Sequence, residues 1–186
     1  TGEYAPANRK VAFQSTKMAK QGLARMLNHP DEGAAFVSDV LVDTLAYAAY
    51  LVPEVTDDIF AIDNAMKVGY NWKRGPFEMM DELGSAELAS RLEALNKPIP
   101  PFLERAVESG PFYRLEDGEI SRLTPSGEYI EIDRPEETLT VADLKRRGEP
   151  LRRNASASIW DAGDGILLVE YHSKMNAMDP LSMEII

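Results

Sequence analysis

The sequence predicts a mainly α-helical protein, a helical bundle followed by a small β meander and a truncated C-terminal hairpin. Three observations carry that expectation. Between Thr16 and Gly110, apolar residues recur at helical spacing and are punctuated by Gly and Pro where helices start and stop. From Phe112 onward the runs FYRL, EISRL and EYIEI are short, and Glu116-Asp117-Gly118 and Thr124-Pro125-Ser126-Gly127 between them are hairpin signals. Near the C-terminus, Ala157 to Trp160 and Ile166 to Tyr171 read as two strands around an Asp161 to Gly165 turn, and Asp179-Pro180 then starts a helix.

Taken in order, Lys17 to Leu27 predicts a short basic amphipathic helix ended by the Asn28-His29-Pro30 break, because the residue before proline disfavours helical backbone. Asp31-Glu32-Gly33 opens the segment AAFVSDVLVDTLAYAAYLV, a helix of about 20 residues and ~30 Å. Apolar residues nearly encircle it, with Asp39 and Asp43 as its polar strip, so it is expected to be the central element, packed on several sides by its own domain or by another subunit. Pro53 closes it. Thr56-Asp57-Asp58 supply capping oxygens for IFAIDNAMKV, whose inner stripe reads Ile59, Ile62, Ala65 and Met66 and whose stop is Gly69. After the link Tyr70 to Arg74, Gly75-Pro76 begins another helix with proline at its first position, and Phe77, Met80 and Leu83 share one face before Gly84 ends it. Ser85 is expected to cap AELASRLEALN, and Pro98 to Glu108 gives one more helix. The charged stretch from Arg134 to Ser158 reads as a linker with one short helix near Val141 to Arg147.

The tetrapeptide TGEY at Thr1 to Tyr4 returns as SGEY at Ser126 to Tyr129. Each copy continues into a stretch of small and basic residues, STKMAKQ at Ser15 and TVADLKR at Thr140. The pattern predicts a repeated unit of which only the tail precedes the first helices. The predicted organisation is a linker over residues 1–15 from a missing upstream unit, a helical domain with the meander over 16–133, a linker over 134–156, and a severed further domain over 157–186.

Composition narrows the function. The chain of 186 residues is 44% apolar and 27% charged, ordinary for a globular protein. With 20 basic against 31 acidic residues the net charge is −11, which argues against nucleic acid or an anionic membrane as partner. The absence of cysteine excludes disulfides, thiolate metal sites and thiol catalysis, and fits a reducing cytoplasm. The longest apolar run, Leu45 to Val52, falls far short of the roughly 20 residues of a membrane helix.

Few residues offer chemistry. The chain has no glycine-rich phosphate loop, GxSxG elbow or HExxH motif. His29 reads as a solvated loop residue and His172 as a strand-end residue. Asp161 to Gly165 resembles a calcium loop, but the twelfth position is His172 rather than glutamate. Glu78, Asp81 and Glu82 read as the wet side of their helix. The N–H groups at the Pro76 helix start, with Lys73 and Arg74 just ahead, could attract an anion, although a well-made helix start explains the same residues. No catalytic or metal-binding residue is assigned.

The ordered run AIDNAMKVGYNWKRGPFEMMDELG, Ala61 to Gly84, resembles the helical C-terminal domain of NAD-dependent 3-hydroxyacyl-CoA dehydrogenases, the fold also described as 6-phosphogluconate dehydrogenase C-terminal-like. The tail ILLVEYHSKMNAMD resembles the first strand and Asn-Ala loop of the enoyl-CoA hydratase fold. Together these are similar to bifunctional β-oxidation enzymes whose helical domain is duplicated, which implies that TGEY ends one repeat and SGEY the next. The resemblance implies a parent that uses NAD and CoA thioesters, and an inactive fragment that binds no cofactor; composition points to a cytoplasmic location. It implies the parent's NAD-binding and hydratase domains as partners, and a homodimer through the helical domain. It also places Gly75, Pro76 and Phe77 near the acyl cleft, and Lys174, Asn176 and Ala177 near an incomplete CoA pocket. The alternative is a stand-alone helical interaction module without catalysis.

Overall fold

Glycine 22 divides what reads as one basic helix. Its φ of 119° lies where L side chains are strained, so the chain turns there instead of continuing. In the computed structural model, which describes residues 13–116, 119–132 and 138–186, helix α1 covers Ser15–Met18, a tight 3₁₀ turn follows at Ala19–Gln21, and α2 covers Leu23–Leu27. The expected single helix over Lys17 to Leu27 is thereby corrected. The tetrapeptide at Thr1 lies outside the described residues, as do Asp117 and Gly118.

Two units share the chain. The first takes in residues up to Arg114 together with Arg122–Ile130; the second comprises Leu115–Ser121 and Glu131–Ile186. The first unit is the helical bundle. Its long helix α3 spans Glu32–Tyr50, and the Asp31 carboxylate caps it by accepting the Ala34 N–H at 2.9 Å. The same carboxylate accepts the Ser15 N–H at 3.0 Å, which ties α1 to the start of α3. Burial acts to raise the Asp31 pKa, but these two N–H groups, the Ser15 hydroxyl and His29 outweigh it and hold the group down at about 2.

Helix α4 spans Ile59–Tyr70, α5 Pro76–Leu83, α6 Ser85–Ala94 and α7 Pro101–Ser109. Thr56 and Asp58 start α4 as expected: the Thr56 hydroxyl accepts the Asp58 N–H, and Asp58 accepts that of Phe60. Its end lies beyond Gly69, at Asn71, whose left-handed backbone (φ 55°) closes the last turn. Helix α6 is preceded by Gly84 with no side-chain cap, so Ser85 begins the helix rather than capping it.

Val42, Leu45 and Ala49 of α3 are buried with Ile59, Met80, Leu83, Leu88, Leu92 and Leu103. Phe77, Phe102 and Phe112 complete this core as a ring cluster with centroids 5.0 to 6.0 Å apart, in tilted and edge-on arrangements that suit aromatic quadrupoles. Leu45 is fully buried, as the central placement of α3 requires. Phe36, Val40, Tyr47 and Tyr50 stand exposed on α3 alongside Asp43, so among the described residues the helix is packed on one side and this stripe is left open. On α4 the inner stripe differs from expectation: Ala65 is exposed, and Asp63 takes a fully buried place.

Strands β1 (Tyr113–Glu116), β2 (Glu119–Leu123) and β3 (Tyr129–Glu131) form a three-stranded sheet in that order. The Thr124 to Gly127 turn joins the last two, and its Thr124 N–H and hydroxyl both donate to the Glu128 carbonyl. In the second unit, α8 (Val141–Arg147) begins at Thr140, whose hydroxyl and backbone N–H exchange hydrogen bonds with Asp143. A short strand that the sequence does not predict, β4 (Arg152–Arg153), adds to the hairpin of β5 (Ala157–Gly163) and β6 (Ile166–Tyr171). Its two residues are too few for alternation to reveal. Helix α9 (Pro180–Ile185) packs Ile185 against Ala157 and Ile159, whereas Ile166, Leu167, Met178 and Met183 are exposed. Among the described residues, no helix is long and apolar enough to cross a membrane.

Candidate functional site

The run from Ala61 to Gly84 folds around one carboxylate. Asp63 lies on the face of α4 that carries Ile59, and it is fully buried. A buried charge needs partners. It finds them across the turn in α5: Asp63 Oδ1 accepts the Phe77 N–H at 2.9 Å, and Oδ2 accepts the Glu78 N–H at 3.1 Å and the Tyr113 hydroxyl at 2.9 Å. Two of the N–H groups that a helix start leaves without intrahelical partners are thus satisfied by a side chain from the preceding helix. The N–H groups that could have attracted an anion at Pro76 are taken by the protein's own Asp63.

Gly75 permits this approach. A Cβ at that position would stand 2.2 Å from Asp63 Cγ, well inside contact distance. Its φ of −78° is one any residue adopts, so glycine is required here by space rather than by backbone freedom. Pro76 then fixes the first helical residue without losing a donor, and Phe77 enters the aromatic cluster. Gly75, Pro76 and Phe77 are all buried.

The three carboxylates that follow lie off the buried face as expected, Glu82 exposed and Glu78 and Asp81 half-buried, and each is also a staple. Glu78 reaches back to accept the Gly75 N–H at 2.9 Å and pairs with Lys67 at 2.6 Å. Asp81 accepts the N–H groups of Phe112 at 2.7 Å and Tyr113 at 2.9 Å, fastening α5 to the entry of β1. Glu82 accepts the Leu23 N–H at 3.1 Å and pairs with Arg74, so it secures α2. Each of the three joins residues that local helix geometry alone would leave apart.

The electrostatics follow from burial. Desolvation pushes the pKa of Asp63 up to about 6 against the pull of the Phe77, Tyr113 and Glu78 donors, with the nearby Glu78 charge adding to the rise. Burial likewise raises Asp81 to about 6, opposed by its two N–H partners. Burial, together with the Asp63 charge, drives the Tyr113 phenol far above its usual range, so it remains a donor. A raised carboxylate is often a mark of acid–base chemistry. Here all oxygens of both groups are engaged by the fold, and what they accomplish is positioning.

In the second unit, Lys174, Met175 and Asn176 form an exposed turn in which Met175 and Asn176 have left-handed backbone (φ 62° and 53°); Ala177 is exposed just after it. His172 Nε2 lies 2.9 Å from the Ser158 hydroxyl, but Ser158 is buried on β5 and presents no open nucleophile. Asp161 accepts the Gly163 N–H at 2.9 Å, and Asp164 and both flanking glycines have positive φ, which makes that loop a tight turn. Among the described residues no cluster of three His, Asp or Glu side chains could hold a metal ion.

Sequence reasoning missed Asp63 and Asp81 as organising groups. A signal for Asp63 was present: it follows Ile59 by one helical turn and precedes Met66 by nearly one, so it lies within the apolar stripe, where an aspartate must be paired. No comparable signal existed for Asp81, whose partners are amides distant in sequence.

This geometry belongs to a stretch that comparison with known families picks out. Residues 36–120 match the 3-hydroxyacyl-CoA dehydrogenase, C-terminal domain. The match runs from the second turn of α3 through α7 to the beginning of the meander and includes the whole Asp63 to Gly84 assembly. Among curated proteins, a "Probable 3-hydroxyacyl-CoA dehydrogenase" of Bacillus subtilis is 34% identical over 172 residues, covering 90% of this chain and 22% of the relative. A "Putative fatty acid oxidation complex trifunctional enzyme" of Rickettsia felis is 38% identical over 69 residues, 36% of this chain and 10% of that protein. The protein of the same description from Rickettsia prowazekii is 30% identical over 93 residues, 48% of this chain and 13% of its own length. The chain therefore spans less than a quarter of the length of the relatives it matches. No solved structure shows a significant match.

Proposed function

We propose that this chain is the helical part of a fatty-acid β-oxidation enzyme in which an NAD-dependent 3-hydroxyacyl-CoA dehydrogenase is joined to an enoyl-CoA hydratase. In this reading the segment supports and dimerises the enzyme and does not itself turn over substrate. The observation that carries it is the alignment of 90% of the chain with a relative named as a dehydrogenase, taken with the dehydrogenase C-terminal domain match. The structural role draws on the use of Asp63, Glu78, Asp81 and Glu82 as ties between segments. Among the described residues, the helix start that follows Lys73 and Arg74 is already filled by Asp63 and leaves no free N–H groups there for a pyrophosphate.

Gly75, Pro76 and Phe77 would then shape the wall beside the acyl cleft from behind, and Lys174, Asn176 and Ala177 would stand near CoA in the hydratase part. Both roles rest on the resemblance, and a cytoplasmic location rests on the absence of cysteine from the sequence. The test is direct. Purified chain mixed with NADH and acetoacetyl-CoA is expected to leave nicotinamide absorbance unchanged, and sustained oxidation of NADH would overturn the inactive, structural reading.

Dimerisation has its own support. Phe36, Val40, Asp43, Tyr47 and Tyr50 follow one another at alternating steps of four and three, the spacing with which one helix packs along another, and all are exposed. The same stripe favours the second reading, a stand-alone helical interaction module without metabolic role. Light scattering separates them: a homodimer supports the enzyme scaffold, whereas a monomer that binds no second copy favours the module.

A further inference from the structure

An antiparallel sheet commonly packs one face on a core and leaves the other to water. In the second unit the face of β5 that carries Ala157 and Ile159 packs on Ile185 of α9. On the opposite face Arg153, Ser158 and Glu170 stand side by side across β4, β5 and β6, and Trp160 and His172, two residues on from Ser158 and Glu170, share that face. This polar face is also covered. Helix α8 lies over it, pairing Lys145 with Glu170, and a cavity of about 320 Å³ remains between them. That volume stands at the small end of the range of ligand sites, about 300–1,000 Å³.

Covering polar groups costs free energy unless they are partnered, and most here are. Ser158, only 2% exposed, shares a hydrogen bond of 2.9 Å with His172 Nε2, and Glu170 accepts from Lys145 and, at 3.2 Å, from Trp160 Nε1. Two lining groups of opposite sign are left over: Arg153 and Glu149 have no ion-pair partner among the described residues. Unpaired charges also occur on open surface, as at Lys17 and Lys174, but these two flank a cavity whose wall holds a buried hydroxyl.

We propose that this cavity binds a small zwitterion, an α-amino acid with a short polar side chain, its carboxylate on the Arg153 guanidinium, its ammonium on Glu149 and its side chain toward Ser158 and His172. A guanidinium fork matches a carboxylate with two parallel N–H···O bonds, and a carboxylate accepts readily from an ammonium. A simple anion would leave Glu149 unanswered beside it, and a simple amine would do the same to Arg153. The inference needs no nicotinamide, thioester or turnover, so it stands or falls apart from the dehydrogenase reading.

L-Serine is the probe. Titrated into the nitrogen-15-labelled chain, it is expected to shift the amide signals of Gly148 and Ser158, both at the cavity wall, in a saturable manner. N-acetyl-L-serine, which lacks the ammonium, and ethanolamine, which lacks the carboxylate, are each expected to bind more weakly by about tenfold or more, the effect of losing one charge-assisted contact. Arg153→Gln and Glu149→Gln, both at exposed positions, should weaken L-serine to the same extent with the fold intact. No saturable shift with L-serine, equal binding of either analogue, or unchanged affinity in either variant would each overturn the proposal. The analogue series uses the unsubstituted chain and decides the matter even where a variant does not fold.

Discussion

Asp63 on α4 holds the first turn of α5 by accepting the N–H groups of Phe77 at 2.9 Å and Glu78 at 3.1 Å. One side chain thus sets the position of one helix relative to its predecessor, and the Tyr113 hydroxyl on the same carboxylate extends that control to β1. Asp63→Ala would leave all three donors in a buried space without an acceptor. Since each orphaned group costs about 1–3 kcal/mol, a loss of at least ~3 kcal/mol is expected. Urea unfolding at constant m value measures it, and a loss under about 0.5 kcal/mol would show that water or a neighbour replaces the carboxylate.

Gly75→Ala is expected to destabilise by about 1–3 kcal/mol, the usual range for forcing a methyl group into a packed place. The backbone there tolerates alanine, so the whole effect is contact with Asp63. A double-mutant cycle with Asp63→Ser should therefore show a coupling of about 0.5 kcal/mol or more, in the sense that the serine relieves the alanine. Additive losses would place the clash elsewhere.

The raised carboxylates give an unusual pH response. Asp63 and Asp81 take up protons near pH 6 in the folded chain and near 3.8 when exposed. Between these values the folded state binds more protons than the unfolded state, so stability falls as pH rises through this window and is greatest toward its acid side. Asp31, held down at about 2, contributes in the opposite sense: its stabilisation is present above pH 3.8 and is lost as pH falls toward 2. Melting temperature should thus rise on acidification from pH 7 to about 5 and drop below about 4. Asp81→Asn should flatten the first limb; an unchanged slope would mean that neither carboxylate titrates there.

Helix α3 allows a contrast within one element. Leu45→Asp places an unpaired carboxylate in the core and should unfold the bundle, because such a group costs several kcal/mol or must be protonated. Val40→Asp, on the exposed stripe, should leave the unfolding free energy of the monomer within about 0.5 kcal/mol of the original while abolishing any dimer seen by light scattering. A folded Leu45→Asp protein would displace α3 from the centre.

How much the sequence disclosed depended on the range of the interaction involved. Helical periodicity and proline placement located α3, α4, α5 and α7, since these signals lie within each element. Gly22 and Ser85 were misjudged because a break and a cap depend on backbone geometry at a single residue. The exposure of Val40 and Tyr47 was not legible because hydropathy reports preference, not which neighbours exist. The motif around Gly75 was visible, but its purpose was not: contacts such as Asp81 to Phe112 bridge residues whose proximity only the fold creates.

The tight seat of Asp63 against Gly75 has a bearing on where a substitution is felt. A glycine, proline, phenylalanine and glutamate in a row, preceded by a suitably spaced aspartate, marks a fastening between helices and carries no reacting group of its own. In this chain that fastening acts on folding alone, so a change at Asp63 or Gly75 is expected to register in unfolding rather than in any reaction.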